Sequence, residues 1–141
     1  MKKIFVDLDD IMCHYKKAFI RDVNDTTPYP QSKVGFFANL KPIDGAIEAF
    51  NLLGKKYDMW ILSSPSYMNP SSYTEKRLWV EKYLGLEMCK KLILTCDKSL
   101  IMGDYLIDDT LTRKQLEFPG EFIHYGSKMY PDWQTILDKL L

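Results

Sequence analysis

The chain has 141 residues, 46% of them hydrophobic, which suits one folded domain around one core and excludes a disordered segment. Its 19 basic and 19 acidic side chains balance, so charge gives no case for a nucleic acid polymer or an anionic membrane surface as partner. Cys13, Cys89 and Cys96 are odd in number and irregularly spaced, match no zinc pattern and fit a reducing compartment.

Met1-Lys2-Lys3 imitates the start of a signal peptide, but the apolar run behind it ends at Asp7, too short for a secretory core. No apolar stretch is long enough for a membrane span. The expectation is a cytoplasmic protein. Ile4, Phe5 and Val6 form a short β-branched and aromatic run that predicts a buried strand. It stops at three acids, Asp7, Asp9 and Asp10. Met12 to about Val23 is compatible with a helix, and residues 24–30, with Pro28 and Pro30, read as a loop. Asp44 is placed to cap a helix from Gly45 to about Leu53, ended by Gly54, with Ala46, Ile47, Ala49, Phe50 and Leu53 as its apolar stripe.

Residues 58–62 predict a second strand, ending at Ser63-Ser64-Pro65. Ser72-Tyr73-Thr74-Glu75 has the pattern of a capping box for a helix that runs to Leu84 before Gly85. Residues 92–94 and 105–107 predict a third and a fourth strand, the latter stopping at Asp108-Asp109. A short helix over 111–116, a turn at Phe118-Pro119-Gly120, a fifth strand over 121–125 and an Asp132-capped helix to Leu140 complete the chain. Strands alternating with helices predict an α/β fold with a doubly wound, mostly parallel, Rossmann-like sheet.

In such a sheet the strand ends share one edge, where ligands bind. That edge collects Asp7, Asp9, Ser63, Asp108 and Asp109, with Lys98 just after the third strand. Clustered carboxylates repel unless a cation joins them, and Mg²⁺ is the simplest hard, oxygen-seeking candidate. Acids holding a divalent cation, together with a hydroxyl and a lysine, make a phosphate site. A carboxylate facing the phosphorus can attack it to give an acyl-phosphate. A second acid on the far side can protonate the leaving oxygen and later activate water.

These residues carry a resemblance. Asp7-Leu8-Asp9-Asp10-Ile11 is similar to the first motif of haloacid-dehalogenase-type (HAD) phosphatases, Ser63 to the second, Lys98 to the third and Asp108-Asp109 to the fourth. Gly35-Phe36-Phe37, residues 42–49, Ile61 to Pro65, Lys76 to Glu81, Ile93 to Lys98 and Gly103 to Asp109 resemble the 5'(3')-deoxyribonucleotidases within that superfamily. The resemblance implies a Mg²⁺-dependent phosphomonoesterase for nucleoside monophosphates, with Asp7 as nucleophile and Asp9 as general acid/base. It implies that Ser63 and Lys98 hold the phosphoryl group. The metal would be held by the Asp7 carboxylate, the Asp9 carbonyl and one of Asp108 or Asp109, with Asp109 preferred as the direct ligand. Ser64, Phe36 and Phe37 are substrate-binding candidates. The expected organisation is one HAD-like domain over residues 1–141 with a much reduced cap at about 14–34. Relatives suggest a homodimer; the sequence leaves the oligomeric state open.

The chain departs from the family at three places. The usual cap of several dozen residues is reduced to residues 14–34, Asp10 stands for a glycine, and Cys96 stands for an arginine. Blander readings apply to other residues: Asp10 as a solvated loop acid, Asp104 as a turn residue at the wrong edge, His124 as structural, and Ser64 as a turn hydroxyl before Pro65. Burial is the expected fate of at least one of Phe36 and Phe37, of the three tryptophans and of the cysteines, Cys96 excepted. His14 follows the first strand and is within reach of the pocket. Two other functions compete. One is a small-cap phosphatase for a different phosphoester. The other is a receiver-like phosphoacceptor domain, which would place its acidic pair after the first strand and its lysine after the last, whereas here Asp108-Asp109 follow Lys98, and which has no use for Asp9.

Overall fold

The computed structural model describes residues 1–141 and all side chains except those of Arg113 and Lys114. The first strand, β1 (Lys3–Val6), lies at the centre of a five-stranded parallel sheet. Its neighbours are β2 (Asp58–Ser63), β3 (Leu92–Leu94), β4 (Tyr105–Asp108) and β5 (Glu121–His124), in the spatial order β3-β2-β1-β4-β5. Val6 pairs with Ile61 on one side and Ile107 on the other. A strand flanked on both sides must be apolar on both faces, and Ile4, Phe5 and Val6 are.

The helices are α1 (Tyr15–Asp22), α2 (Ala46–Leu53), α3 (Pro70–Leu84), α4 (Arg113–Leu116) and α5 (Trp133–Leu140). Ile4, Val6, Ile61, Ile107 and Ile123 face a large cluster that includes Ala49 and Phe50 of α2, Trp79 and Val80 of α3, and Ile136 of α5. The opposite face is smaller: Phe5, Leu62, Leu106 and Phe118 are buried there, bordered by Trp60, Ile93, Ile101 and Phe122. The β3–β4 connection covering it carries one 3₁₀ turn, Lys98–Leu100, beside α4. It passes so close that a Cβ on Gly103 would lie 2.1 Å from the Phe5 ring. Among the described residues, no helix is long and apolar enough to cross a membrane.

Several helix starts differ from the sequence expectation, each for a local reason. Residues 10–13 form a tight turn in which the Met12 and Cys13 N–H groups both donate to the Leu8 carbonyl, at 2.8 and 3.1 Å, so α1 begins only at Tyr15. Asp10 sits there at φ 62°, the left-handed region that a glycine would occupy without strain. Asp44 makes no cap; Gly45 at φ 81° is the residue before α2. The supposed capping box of α3 is inside the helix. Asn69 is the cap, accepting from the Ser71 N–H at 3.0 Å, and Pro70 opens the first turn, where its missing N–H costs nothing. Ser72 Oγ instead donates to the Ser66 carbonyl, and the Glu75 carboxylate accepts the N–H groups of Gly35 and Ala38. Asp132 caps α5 as expected, accepting from Thr135. Trp60 and Cys89 are half-buried rather than core, Trp60 lying beneath the Lys91 ammonium.

Candidate active site

Because every strand points the same way, their carboxyl ends meet at one edge. The order of strands reverses between β1 and β4, which opens a crevice at that switch point. Asp7 is the first residue after β1, its N–H donating to Ile107 O at 3.0 Å, and Asp108 is the last residue of β4. One carboxylate oxygen from each of Asp7, Asp108 and Asp109 lies within 4.8 Å of the others. Lys98 reaches this group from the turn after β3, where the Asp97 side chain caps the turn by accepting from Ser99 N–H. Its Nζ is 2.5 Å from Asp108 Oδ2 and 3.2 Å from Asp7 Oδ1, and the lysine is only 2% exposed.

The two adjacent acids differ. Asp108 is fully buried and spends Oδ2 on Lys98 and Oδ1 on the Thr110 N–H at 2.9 Å. Asp109 is half-buried and faces a cleft of about 340 Å³ also lined by Asp7, Asp9, Ser64, Lys98 and Gln115. His124 Nε2 lies 3.0 Å from the Asp109 carbonyl, so this histidine bears on the Asp109 loop from the end of β5.

Asp9 lines the same cleft but is not one of the three clustered acids. Its Oδ2 is 3.0 Å from the Nζ of Lys76, and the same ammonium donates to Ser63 Oγ at 2.8 Å. Lys76 is 2% exposed and lies 4.9 Å from the Phe37 ring centroid. The sequence reading missed it as a site residue. The available signal was helical spacing: Ser72, Lys76 and Val80 fall four residues apart on one stripe with Trp79, and a lysine on a buried stripe needs a partner.

The structure brings together Asp7, Asp9, Ser63, Ser64, Lys98, Asp108 and Asp109. Phe36 and Phe37 are buried behind the cleft rather than in its lining, 5.2 Å apart edge to face, in a cluster with Tyr15, which does line it. His14 lines a different depression, with Lys17 and Asp44. Asp10, expected as a solvated acid, accepts the N–H groups of Tyr15 and Lys16 at 3.1 and 3.0 Å and so holds the start of α1. Asp104 is at the far edge, accepting from Lys3 N–H.

Electrostatics follow from the crowding. Burial raises the Asp7 carboxyl above its ordinary range; Lys98 opposes this and Asp108 adds to it. Burial also raises Asp9, against the pull of Lys76. Asp109 is pushed up to about 7 by burial and by the charges of Asp7 and Asp108. Burial alone would lower Lys98, but Asp7 and Asp108 outweigh it and raise the ammonium above its usual value. Three oxygen donors without a histidine or cysteine, too crowded to stay ionised together, fit a hard divalent cation.

The sequence of residues 25–130 matches the model of the 5' nucleotidase, deoxy (pyrimidine), cytosolic type C family. The chain belongs to this family. A protein of Vibrio phage KVP40, whose assigned name is that of a 5'(3')-deoxyribonucleotidase, is 39% identical over 97% of this chain and 83% of its own. The human cytosolic 5'(3')-deoxyribonucleotidase is 32% identical over 86% of this chain, which spans 56% of the human protein. The mouse mitochondrial 5'(3')-deoxyribonucleotidase is 35% identical over 72% of this chain and 42% of its own length. The fold matches that of a haloacid dehalogenase-like hydrolase from Xanthomonas campestris, with a TM-score of 0.67 at 10% identity over 99% of this chain and 90% of that one. This deoxyribonucleotidase-family chain has the HAD-like sheet, and it spans about half the length of the mammalian relatives it matches.

Proposed function

We propose that the protein is a Mg²⁺-dependent phosphomonoesterase acting on deoxyribonucleoside monophosphates through an aspartyl-phosphate on Asp7. The observation that supports this best is the convergence of Asp7, Asp9, Lys98 and Asp109 on one cleft, with Ser63 joined to Asp9 through Lys76, in a chain of the deoxyribonucleotidase family. Asp7, Asp109 and the Asp9 carbonyl would hold the ion, with Asp108 behind them on Lys98. When bound, the ion supplies charge neutralisation for the phosphoryl oxygens.

The chain's own groups then divide the work. Asp7 attacks phosphorus. Lys98 and the Ser63 hydroxyl hold phosphoryl oxygens, stabilising the charge that develops on them. Asp9 protonates the leaving oxygen, and as a carboxylate it afterwards takes a proton from the water that opens the aspartyl-phosphate. Residues 14–34, which contain α1 and a 3₁₀ turn at Pro30–Ser32, serve as a reduced cap. Such a cap excludes less water and offers fewer remote contacts, and Cys96 cannot give the charge-assisted hydrogen bonds of an arginine. Weak discrimination among bases follows.

The test is phosphate release from deoxyribonucleoside monophosphates, sugar phosphates and an aryl phosphate, with and without Mg²⁺. Metal-dependent release from the nucleotides supports the reading. Full turnover after exhaustive chelation contradicts the metal requirement, and turnover restricted to non-nucleotides contradicts the substrate class.

A further inference from the structure

We infer that Lys76 is the positioning residue of this site: a single ammonium sets both the Asp9 carboxylate and the Ser63 hydroxyl in the orientation that leaving-group protonation and phosphoryl binding require. The inference rests on the reading above, in which Asp9 is the acid and Ser63 a phosphoryl contact.

The geometry carries it. An ammonium has only donors, so Ser63 Oγ accepts from Lys76 at 2.8 Å and its own proton is left to donate elsewhere. Asp9 Oδ2 is taken in the same way at 3.0 Å, which leaves Oδ1 as the oxygen that delivers a proton. The Cys13 thiol at 3.8 Å is only a weak donor to that oxygen. The ammonium is itself held. The Phe37 ring lies 4.9 Å away, and the neighbouring Glu75 anchors α3 by accepting the Gly35 and Ala38 N–H groups. Trp79 Nε1 adds a further tie, donating to the Leu40 carbonyl at 2.8 Å. Residues 35–40 and the middle of α3, which carries Lys76, are therefore one braced unit. Lys98 is committed to Asp7 and Asp108, so the two buried lysines sort the acids into two groups with different tasks.

In the step concerned, an Asp7 oxygen bonds to phosphorus as the ester P–O bond breaks. The leaving oxygen takes the proton from Asp9 Oδ1 and departs as an alcohol. The carboxylate that results faces Lys76.

A leaving group that needs no proton separates positioning from mere support. The variants Lys76→Met and Asp9→Asn are compared with the unaltered enzyme on a deoxyribonucleoside monophosphate and on 2,4-dinitrophenyl phosphate, whose phenolate leaves unprotonated. General acids contribute on the order of 10²–10⁴-fold. The expected result for Lys76→Met is a loss approaching that of Asp9→Asn on the nucleotide, and a much smaller loss on the aryl ester. The double variant should be slower on the nucleotide than Asp9→Asn alone only by the small factor that Lys76→Met shows on the aryl ester, which is the share owed to Ser63. The ratio of the two rates does not depend on how much enzyme folds, and Lys76→Gln provides the same ratio where Lys76→Met does not accumulate. Equal losses on both substrates for the Lys76 variants, with Asp9→Asn still selective, would overturn the role of Lys76. A non-selective Asp9→Asn would overturn the acid assignment, and this inference with it.

Discussion

The Lys98 ammonium lies 2.5 Å from Asp108 Oδ2, with both side chains withdrawn from solvent, and this pair ties the turn after β3 to the end of β4. Removing one partner of a buried pair typically costs about 3–5 kcal/mol. Lys98 keeps Asp7 as a second partner, so Asp108→Asn should destabilise by roughly 3 kcal/mol, at the low end of that range. Asp109→Asn should behave in the opposite way. It relieves a crowded carboxylate in the metal-free protein, raising its melting temperature, and it should weaken Mg²⁺ binding more than Asp108→Asn does. Thermal melts and metal titrations of the two variants check this.

The pH dependence of stability has a definite sign. Asp109 is raised to about 7, chiefly by burial, and Asp7 and Asp9 are raised in the same direction. A carboxyl raised in the folded state contributes stability that is present below its ordinary range and lost as pH climbs through the folded value. The metal-free protein should therefore lose stability between about pH 4 and about pH 8 from these groups. Added Mg²⁺ should restore it at the alkaline end. A melting temperature that rises across that window without metal would contradict the crowded-acid description.

Asp10 should matter to folding rather than to turnover. It accepts two N–H groups at the start of α1 from a backbone at φ 62°. Asp10→Ala loses that cap and keeps the strained φ, so a destabilisation of about 1–2 kcal/mol is expected. Asp10→Gly loses the same bonds but relaxes the backbone and should cost less. Denaturant midpoints of the two variants give the comparison.

Substrate selectivity tests the shortened cap. Cys96 is exposed, with Sγ 3.8 Å from the carbonyl of Pro65, the residue after Ser64 of the cleft. Cys96→Arg should lower KM for at least one deoxynucleotide with little change in kcat. Before that substitution, kcat/KM should vary little among bases. A preference of several orders of magnitude for one nucleotide would show a tight base pocket instead.

The sheet was legible in the sequence because each strand is a short apolar run that stops at a polar residue, and Asp7, Ser63 and Asp108 mark three of those stops. Their common edge follows from parallel topology alone. Helix starts were less legible, since a cap depends on which nearby side chain wins: Asn69 with Pro70 outcompetes Ser72, and Glu75 serves a loop 40 residues away. Lys76 was missed for a related reason. Its partners, Asp9 and Ser63, lie 67 and 13 residues away, and only the packing of α3 against the strand ends brings them together. Phe36 and Phe37 carried an aromatic signal that suits either a base or a core, and the choice depends on Tyr15, a contact no local pattern encodes.

The central claim is that Asp7 becomes phosphorylated by a deoxynucleotide. The direct measurement is to mix the enzyme with a deoxyribonucleoside monophosphate labelled in its phosphate, quench with acid in the first turnover, and locate the label by peptide mapping. The account predicts a hydroxylamine-sensitive label on the peptide that carries Asp7, absent from Asp7→Asn and present in Asp9→Asn. Label on another residue, or burst-free turnover with no label at any time, would contradict it.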